Sequence, residues 1–450
     1  MSIRNIFPII VLSLCISCND FLDIRPTGKI IAETGAEYRA LLTYVYKNIP
    51  EDRGLSSLRS DEFDLINSIN EYDYTSYFDI WAWNDLSRQD GTSSWGWRGY
   101  YHTIYIANYV IEHQHEITQA TRSEIDQMVG EAYMLRAYMH FLLVNLYADA
   151  YTACDPATTR GIPLQLQADV EQVLRCSSVE AVYKSILDDI ESARKHLNVE
   201  RWDEGYTYRF NTISADALKA RVALYMGRWQ EAFDAAETVL TAYPDLEDMN
   251  LSTSTLPTHY KSVESIVALE QVMTANVQAL ESVSASLLAA YRSGDLRKSK
   301  YFKAKTLSVW ILRKGGTNEQ RCSFRSGEFY LIAAETANEL NRPDIVADYL
   351  KRLMQKRYTE KKYTEYASAI DTMTKEELRT EILNERRCEL AFEGHRWYDL
   401  RRTGQPELTK TYKNKAGETT TYTLDEGDSR YSIMFPTEAV EANPEIEIWN

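Results

Sequence analysis

Several scarcities narrow the field before any motif is read. Lys and Arg total 50 against 66 Asp and Glu, a formal net charge of −16. A general nucleic-acid binder carries a basic patch or stripe, so this balance argues against nucleic acid as a partner. Cysteine is rare, and Cys154, Cys176, Cys322 and Cys388 stand in neither CxxC nor finger spacing, which argues against a zinc site. A Cys154–Cys176 disulfide stays open for an exported chain, because spacing alone cannot establish it. His113 and His115 are two residues apart, so on a helix they would point to different sides and could not easily share a metal. Beyond residue 17 no stretch approaches the roughly 18 apolar residues of a membrane helix. There is no nucleophile elbow, P-loop, HExxH or dinucleotide-binding glycine loop. A glycosidase needs only two carboxylates at a set separation, but no other feature supports one. The expectation is a protein without cofactor, metal or catalytic role.

What the chain does hold begins at its N-terminus. Arg4 is the only charge in residues 1–17, and the run Ile6–Ile16 is too short to span a bilayer but suits a signal peptide. Ser17-Cys18 closes it in the manner of a bacterial lipobox, which makes Cys18 the expected lipidation site. A plain secretory signal cleaved nearby is the alternative. The mature protein is then a soluble body held to a membrane by its lipid.

Helical periodicity begins near Thr34. Residues 50–96 read as irregular, with Tyr72, Tyr74, Tyr77, Trp81, Trp83 and Trp95 set among Asp, Asn and Ser. Long loops that stay ordered are usually functional. From Trp97 the pattern is helical, first over about 97–117. Thr121 and Glu124 then make a capping box ahead of an apolar seam from Ile125 to Leu146. Ser178–Leu197 is another amphipathic helix. Ser214–Met226 and Trp229–Ala242 form a pair with Ala220, Ala223, Ala232 and Ala236 where two antiparallel helices would touch. Phe329–Leu340 and Ile345–Arg357 repeat the arrangement, with Ala334 and Ala337 114 residues after Ala220 and Ala223. This is tetratricopeptide-like, but the offset is no multiple of about 34, so residues 245–326 interrupt the array. The predicted fold is mainly α: a tetratricopeptide-like helical-pair scaffold over about 34–245 and 327–402, irregular aromatic-bearing loops, and short strands at Thr419–Leu424 and Tyr431–Phe435.

The densest chemistry lies in Asn384–Arg402, which packs charges of both signs, a histidine and aromatics into a helical run. It reads either as an active site for proton transfer or as a lock of buried ion pairs. Its spacing sets Arg386, Leu390 and Glu393 on one helix face, suited to pairing with neighbouring helices.

Taken together the motifs resemble the SusD/RagB family of surface-exposed lipoproteins that partner TonB-dependent outer-membrane transporters. The resemblance runs through Cys18-Asn19-Asp20-Phe21-Leu22-Asp23, Gly161-Ile162-Pro163-Leu164, Asp295-Leu296-Arg297 and Glu328-Phe329-Tyr330-Leu331. It is most specific at Glu385-Arg386-Arg387, Phe392-Glu393-Gly394, Arg396-Trp397 and Asp399-Leu400. Phe435-Pro436-Thr437 departs from the family's usual proline-isoleucine-proline. The resemblance implies one helical domain over 18–450 that captures glycans, or in some members peptides, and passes them to a SusC-like transporter at the outer membrane. It also makes Arg386, Arg387, Glu393, Arg396 and Asp399 scaffold residues.

A glycan site needs exposed rings rimmed by groups that bond hydroxyls. Trp81, Trp83 and Trp95 with Asn84, Asp85 and Arg88 supply both, and Tyr291 and Trp310 from the interrupting segment could complete the platform. A helical-repeat adaptor for a peptide or protein is the competing reading. It predicts a longer groove with fewer stacked rings.

Overall fold

The apolar seam behind Thr121 becomes the longest helix of the scaffold. The computed structural model describes residues 32–66, 69–271, 273–280, 283–306 and 309–449. Within it Thr121 accepts from the Glu124 amide while the Glu124 carboxylate accepts from the Thr121 amide, closing the predicted capping box. Such caps each stabilise a helix by about 1 kcal/mol. Cys18 and the tether after it lie outside the described residues.

In chain order the helices are α1 (Gly35–Lys47), α2 (Arg53–Arg59), α3 (Glu71–Trp81), α4 (Trp97–Glu112), α5 (Arg122–Tyr147), α6 (Val179–His196), α7 (Thr212–Tyr225) and α8 (Trp229–Ala242). Three short ones follow, α9 (Ala275–Gln278), α10 (Ala285–Ala290) and α11 (Arg297–Tyr301). The chain then builds α12 (Ser326–Glu339), α13 (Pro343–Gln355), α14 (Glu360–Ile370), α15 (Lys375–Glu389), α16 (Arg396–Arg402) and α17 (Thr437–Ala442).

The helices pack in layers: α4 on α5, α5 on α6, α7 on α8, and α12 on both α13 and α15. Ala220, Ala223, Ala232 and Ala236 are wholly buried at the α7–α8 crossing, and Ala334 and Ala337 are wholly buried on α12. Small side chains let helix axes approach closely, which is why these positions recur. Gly130 does the same on α5, where a Cβ would stand 2.8 Å from the Leu197 backbone nitrogen.

The broken repeat offset has a simple resolution in space. Helix α8 packs directly against α12, so the two predicted pairs are neighbours. Residues 245–326 leave the array and return to it. The excursion is clasped by an antiparallel pair, β3 (Ser265–Val267) with β6 (Phe324–Arg325), at its two ends. The other strands, all in two-stranded antiparallel pairs among the described residues, are β1 (Arg160–Pro163) with β2 (Cys176–Ser178), β4 (Phe302–Ala304) with β5 (Trp310–Leu312), and β7 (Leu408–Lys413) with β8 (Thr419–Leu424).

Four expectations need correction, and one open question is answered. The 50–96 stretch is not irregular throughout, since α2 and α3 lie in it and most of its rings point inward. Helix α4 ends at Glu112, with His113 capping it, so His113 and His115 share no helix. Residues 431–435 form no strand; a single 3-10 turn, Ser429–Tyr431, stands there. The Cys154–Cys176 pairing that spacing left open is not formed, both being free thiols. The charged motif is not one helix, because α15 stops at Glu389 and α16 restarts at Arg396. Between them Phe392 (φ 59°) and Gly394 (φ 71°) adopt left-handed backbone, which turns the chain.

Candidate ligand-binding site

Four of the five rings expected to form a platform are spent on the core. Trp81 and Trp83 are fully buried, their indole N–H groups donating to the carbonyls of Phe63 and Arg59, each at 2.9 Å. The Lys410 ammonium lies 4.1 Å from the Trp83 ring and 5.3 Å from Trp81, and donates to the Leu58 and Trp81 carbonyls. Trp95 is buried beneath the Arg88 guanidinium at 5.7 Å. Tyr291 is buried too, its hydroxyl donating to the Cys388 carbonyl at 2.9 Å and its ring edge-on to Phe302. A ring covered this way offers no face to a sugar, which corrects the expectation for these four.

The polar members are also engaged. Against the burial that would raise it, Arg59 and Arg88 hold the Asp85 carboxyl below its usual range. Arg59 grips it through two bonds of 2.8 Å, and Arg88 adds one of 2.6 Å. Asn84 donates to Asp79 at 3.0 Å. Trp310 is partly exposed, with the Lys298 ammonium 5.6 Å from its ring. The structure does bring the two predicted segments together, since Phe63 bridges to Val283 and the Val283 amide donates to the Trp310 carbonyl at 3.1 Å.

The charged motif forms an interior ion lattice. Arg386 on α15 pairs with Asp399 on α16 at 2.8 Å, and Asp399 also accepts from Arg402 at 2.9 Å. Arg387 and Arg396 converge on Asp61, at 2.9 and 2.8 Å. Glu393 joins Lys314 and Arg325. Glu389, wholly buried, faces three guanidiniums, those of Arg325, Arg357 and Arg297. Burial would raise its pKa, but these arginines hold it well below the usual range. The lattice ties α15 and α16 to α12, to the end of α13 and to the 245–326 excursion. With every carboxylate committed to a cation, it has the character of a lock rather than of a proton-transfer site.

A set of partly exposed rings gathers elsewhere, where α1 meets the 198–211 connection and the excursion. A hollow of about 350 Å³ is lined by Thr43, Tyr46 and Lys47 of α1, Thr207 and Tyr208, Tyr260, Asn318 and Arg321. Thr207 and Tyr260 also border a second hollow of about 220 Å³, with Trp202, Tyr243, Asn211 and Ser262. Trp202 then borders a third of about 530 Å³, with Arg39, Gln127, Asn198 and Arg209. The three adjoin through Thr207, Tyr260 and Trp202 as one groove, and Tyr208 lines its first hollow.

Each of the rings Trp202, Tyr208 and Tyr260 is held in place by its covered side. The Trp202 indole donates to the Phe210 carbonyl at 3.0 Å, under the Arg209 guanidinium at 3.6 Å. Tyr208 meets Tyr46 edge-on at 5.4 Å. Tyr260 stacks on His259 at 5.0 Å, and its amide donates to the Glu319 carbonyl. Rings fixed in this way lose little freedom on binding. Tyr46 is 3 % exposed, and its hydroxyl, at the floor of the first hollow, meets no partner among the described residues.

Comparison with known proteins assigns the chain. Residues 220–444 match the model of the SusD family, and residues 20–224 match a second one described as "starch-binding associating with outer membrane". The chain belongs to the SusD family. Among its relatives is the SusD-like protein P38 of Formosa agariphila, 24% identical over 88% of this chain and 90% of that one. A SusD superfamily protein from Bacteroides fragilis shares the fold at a TM-score of 0.75 and 22% identity, over 93% of this chain and all of that one. A laminarin-binding SusD-like protein shares it at a TM-score of 0.61 and 18% identity, over 83% of this chain and 92% of that one.

In this SusD-family chain the groove residues Trp202 and Tyr208 escape a reading of the sequence. The connection carrying them, Trp202-Asp203-Glu204-Gly205-Tyr206-Thr207-Tyr208, has the same mixture of rings and polar residues as 72–95. It is shorter, and it joins two strongly periodic helices that draw the eye instead. Among the described residues no helix is long and apolar enough to cross a membrane, and no group of His, Cys, Asp and Glu could hold a metal ion.

Proposed function

We propose that this SusD-family chain is a cell-surface lipoprotein that captures an oligo- or polysaccharide and hands it to a TonB-dependent outer-membrane transporter. Residues 1–17 are its signal peptide, Cys18 carries the lipid, and residues 18–450 act as one unit without catalysis. The observation that carries the reading is the groove lined by Trp202, Tyr208 and Tyr260. Sugars present apolar C–H faces that stack on such rings, and hydroxyls that bond to a polar rim. Here Thr43, Asn318 and Arg321 in the first hollow, and Asn198 in the third, supply that rim. The starch-binding description of the matched family model and the laminarin-binding relative support a saccharide as the ligand class.

Native affinity gels containing glycans test it. Replacing Trp202, Tyr208 and Tyr260 together by alanine is expected to abolish retardation while the far-ultraviolet circular dichroism stays that of the wild type. Unchanged retardation of a folded triple variant would overturn the assignment.

A further inference from the structure

The groove is basic within an acidic protein. Its hollows are lined by Lys47 and Arg321, then Arg201 and Lys261, then Arg39 and Arg209, while the chain as a whole carries −16. The carboxylates that line it are Glu204 and Glu124. Glu204 pairs with Lys261 at 2.5 Å, and Glu124 closes the capping box of α5 at the far end. Arg321 is matched by Glu51 at 2.8 Å.

Three of the six cations have no carboxylate of their own, and with Glu124 counted the groove keeps a surplus of two positive charges. Arg39 and Arg209 share a single carboxylate, that of buried Glu131, at 2.8 and 2.7 Å. Neither Lys47 nor Arg201 meets a carboxylate at ion-pair distance among the described residues. The Arg201 guanidinium is instead held 4.2 Å from the Tyr243 ring, at the wall of the second hollow. Lys47 ends α1 at the first hollow. Cations along a concave, ring-lined track concentrate a field that attracts anions and repels little that is neutral. Arg201 donates to the Ala242 carbonyl at 3.5 Å, and its remaining N–H groups, like the Lys47 ammonium, have no carboxylate to neutralise them and can bond a carboxylate or sulfate oxygen.

We infer that the groove takes an acidic saccharide chain, with sugar faces on its rings and carboxylate or sulfate groups on Lys47 and Arg201. This rests on the groove's being the glycan site. A neutral glucan would leave the surplus charge unused, and an acidic one would neutralise it.

The test uses the full mature chain in native gels holding polygalacturonate, a sulfated galactan, laminarin or amylose, at 50 and 300 mM NaCl. Retardation by polygalacturonate or by the sulfated galactan is expected to exceed that by the neutral glucans. Which of the two retards more identifies the acid group. It is expected to weaken at 300 mM salt, where screening shortens to roughly 6 Å. The double variant Lys47→Gln/Arg201→Gln, changed only at exposed side chains, is expected to lose about tenfold in affinity for the acidic chain, as for two charge-assisted bonds removed. Neutral glucans retained as strongly as acidic ones, with no effect of the double variant, would overturn the acidic ligand and leave glycan capture standing. Retardation by none of the four, or none lost on removing Trp202, Tyr208 and Tyr260, would overturn both.

Discussion

Arg325 donates to both oxygens of the Glu393 carboxylate, Nε to Oε2 and Nη2 to Oε1, each at 2.8 Å. Both side chains are buried, and 68 residues separate them in sequence. The pair therefore fastens the turn after α15 to the strand that closes the 245–326 excursion. Lys314 shares the same carboxylate, and burial together with these two cations sets its charge state. Burial alone would raise the Glu393 pKa, and the net direction is down, so the ionised form is the one the fold holds.

Glu393→Ala removes the anion and leaves Lys314 and Arg325 buried with less compensation. Breaking a buried pair from one side costs about 3–5 kcal/mol. A drop of that size in urea unfolding is expected, with unchanged glycan affinity in the folded fraction. Lost affinity at unchanged stability would return the motif to the status of a binding site. Arg387→Ala acts in the same direction and less strongly, because Arg387 is partly exposed where it meets Asp61.

The turn itself is testable at Gly394. Its φ of 71° is left-handed, and a Cβ there would stand 3.1 Å from the Arg53 Cβ. An L side chain in this conformation costs about 1–2 kcal/mol before any clash. Gly394→Ala is expected to lower the melting temperature by several degrees. Gly394→Asn should recover part of the loss, since Asn tolerates left-handed backbone better.

The buried tryptophans give the opposite prediction from the groove rings. Trp83→Ala opens a cavity, leaves the Arg59 carbonyl without its indole donor and strips the ring from beneath the Lys410 ammonium, for an expected loss of about 3–5 kcal/mol. Trp202→Ala, half-exposed, should cost little stability and most of the glycan retention. If the two exchanged behaviours in parallel urea and gel experiments, the 72–95 loop and not the groove would be the contact surface.

These contrasts mark what the sequence could carry. Helix α8 was legible to its ends, Trp229–Ala242, because periodicity and the flanking Gly227 and Pro244 are local signals. The Thr121 and Thr34 helix starts were legible for the same reason. Burial of Trp81 and Trp83 was not, because nothing local shows that Lys410, 329 residues from Trp81, comes to lie against these rings. The break at Leu390 was hidden as well. Helical spacing continues through it, and the left-handed backbone at Phe392 follows from how its ring packs on Phe63 and Phe302. The family signature was readable as a motif, while its geometry as two helices and a turn was not.

A last expectation concerns pH. Glu62 is wholly buried beside the same turn, accepting from the Phe392 amide at 2.7 Å. Desolvation outweighs that bond and lifts its pKa from 4.5 to about 7. A carboxyl raised in the folded state binds a proton there that the unfolded chain has already released. Its contribution is therefore full below about pH 4.5 and is lost as pH rises to 7, on the order of 3 kcal/mol. Asp52, raised to about 6 mainly by burial, adds in the same direction. Glu389, Glu393 and Asp399 are held low, so their support is lost only as pH falls below the usual carboxylate range, and the two effects occupy separate windows. Glu62→Gln keeps an acceptor for the Phe392 amide without the charge. It is expected to flatten the fall in melting temperature between pH 5 and 8 and to melt higher than the wild type at pH 8. Parallel pH profiles for the two proteins would show that Glu62 ionises in the folded state as it does in the unfolded chain.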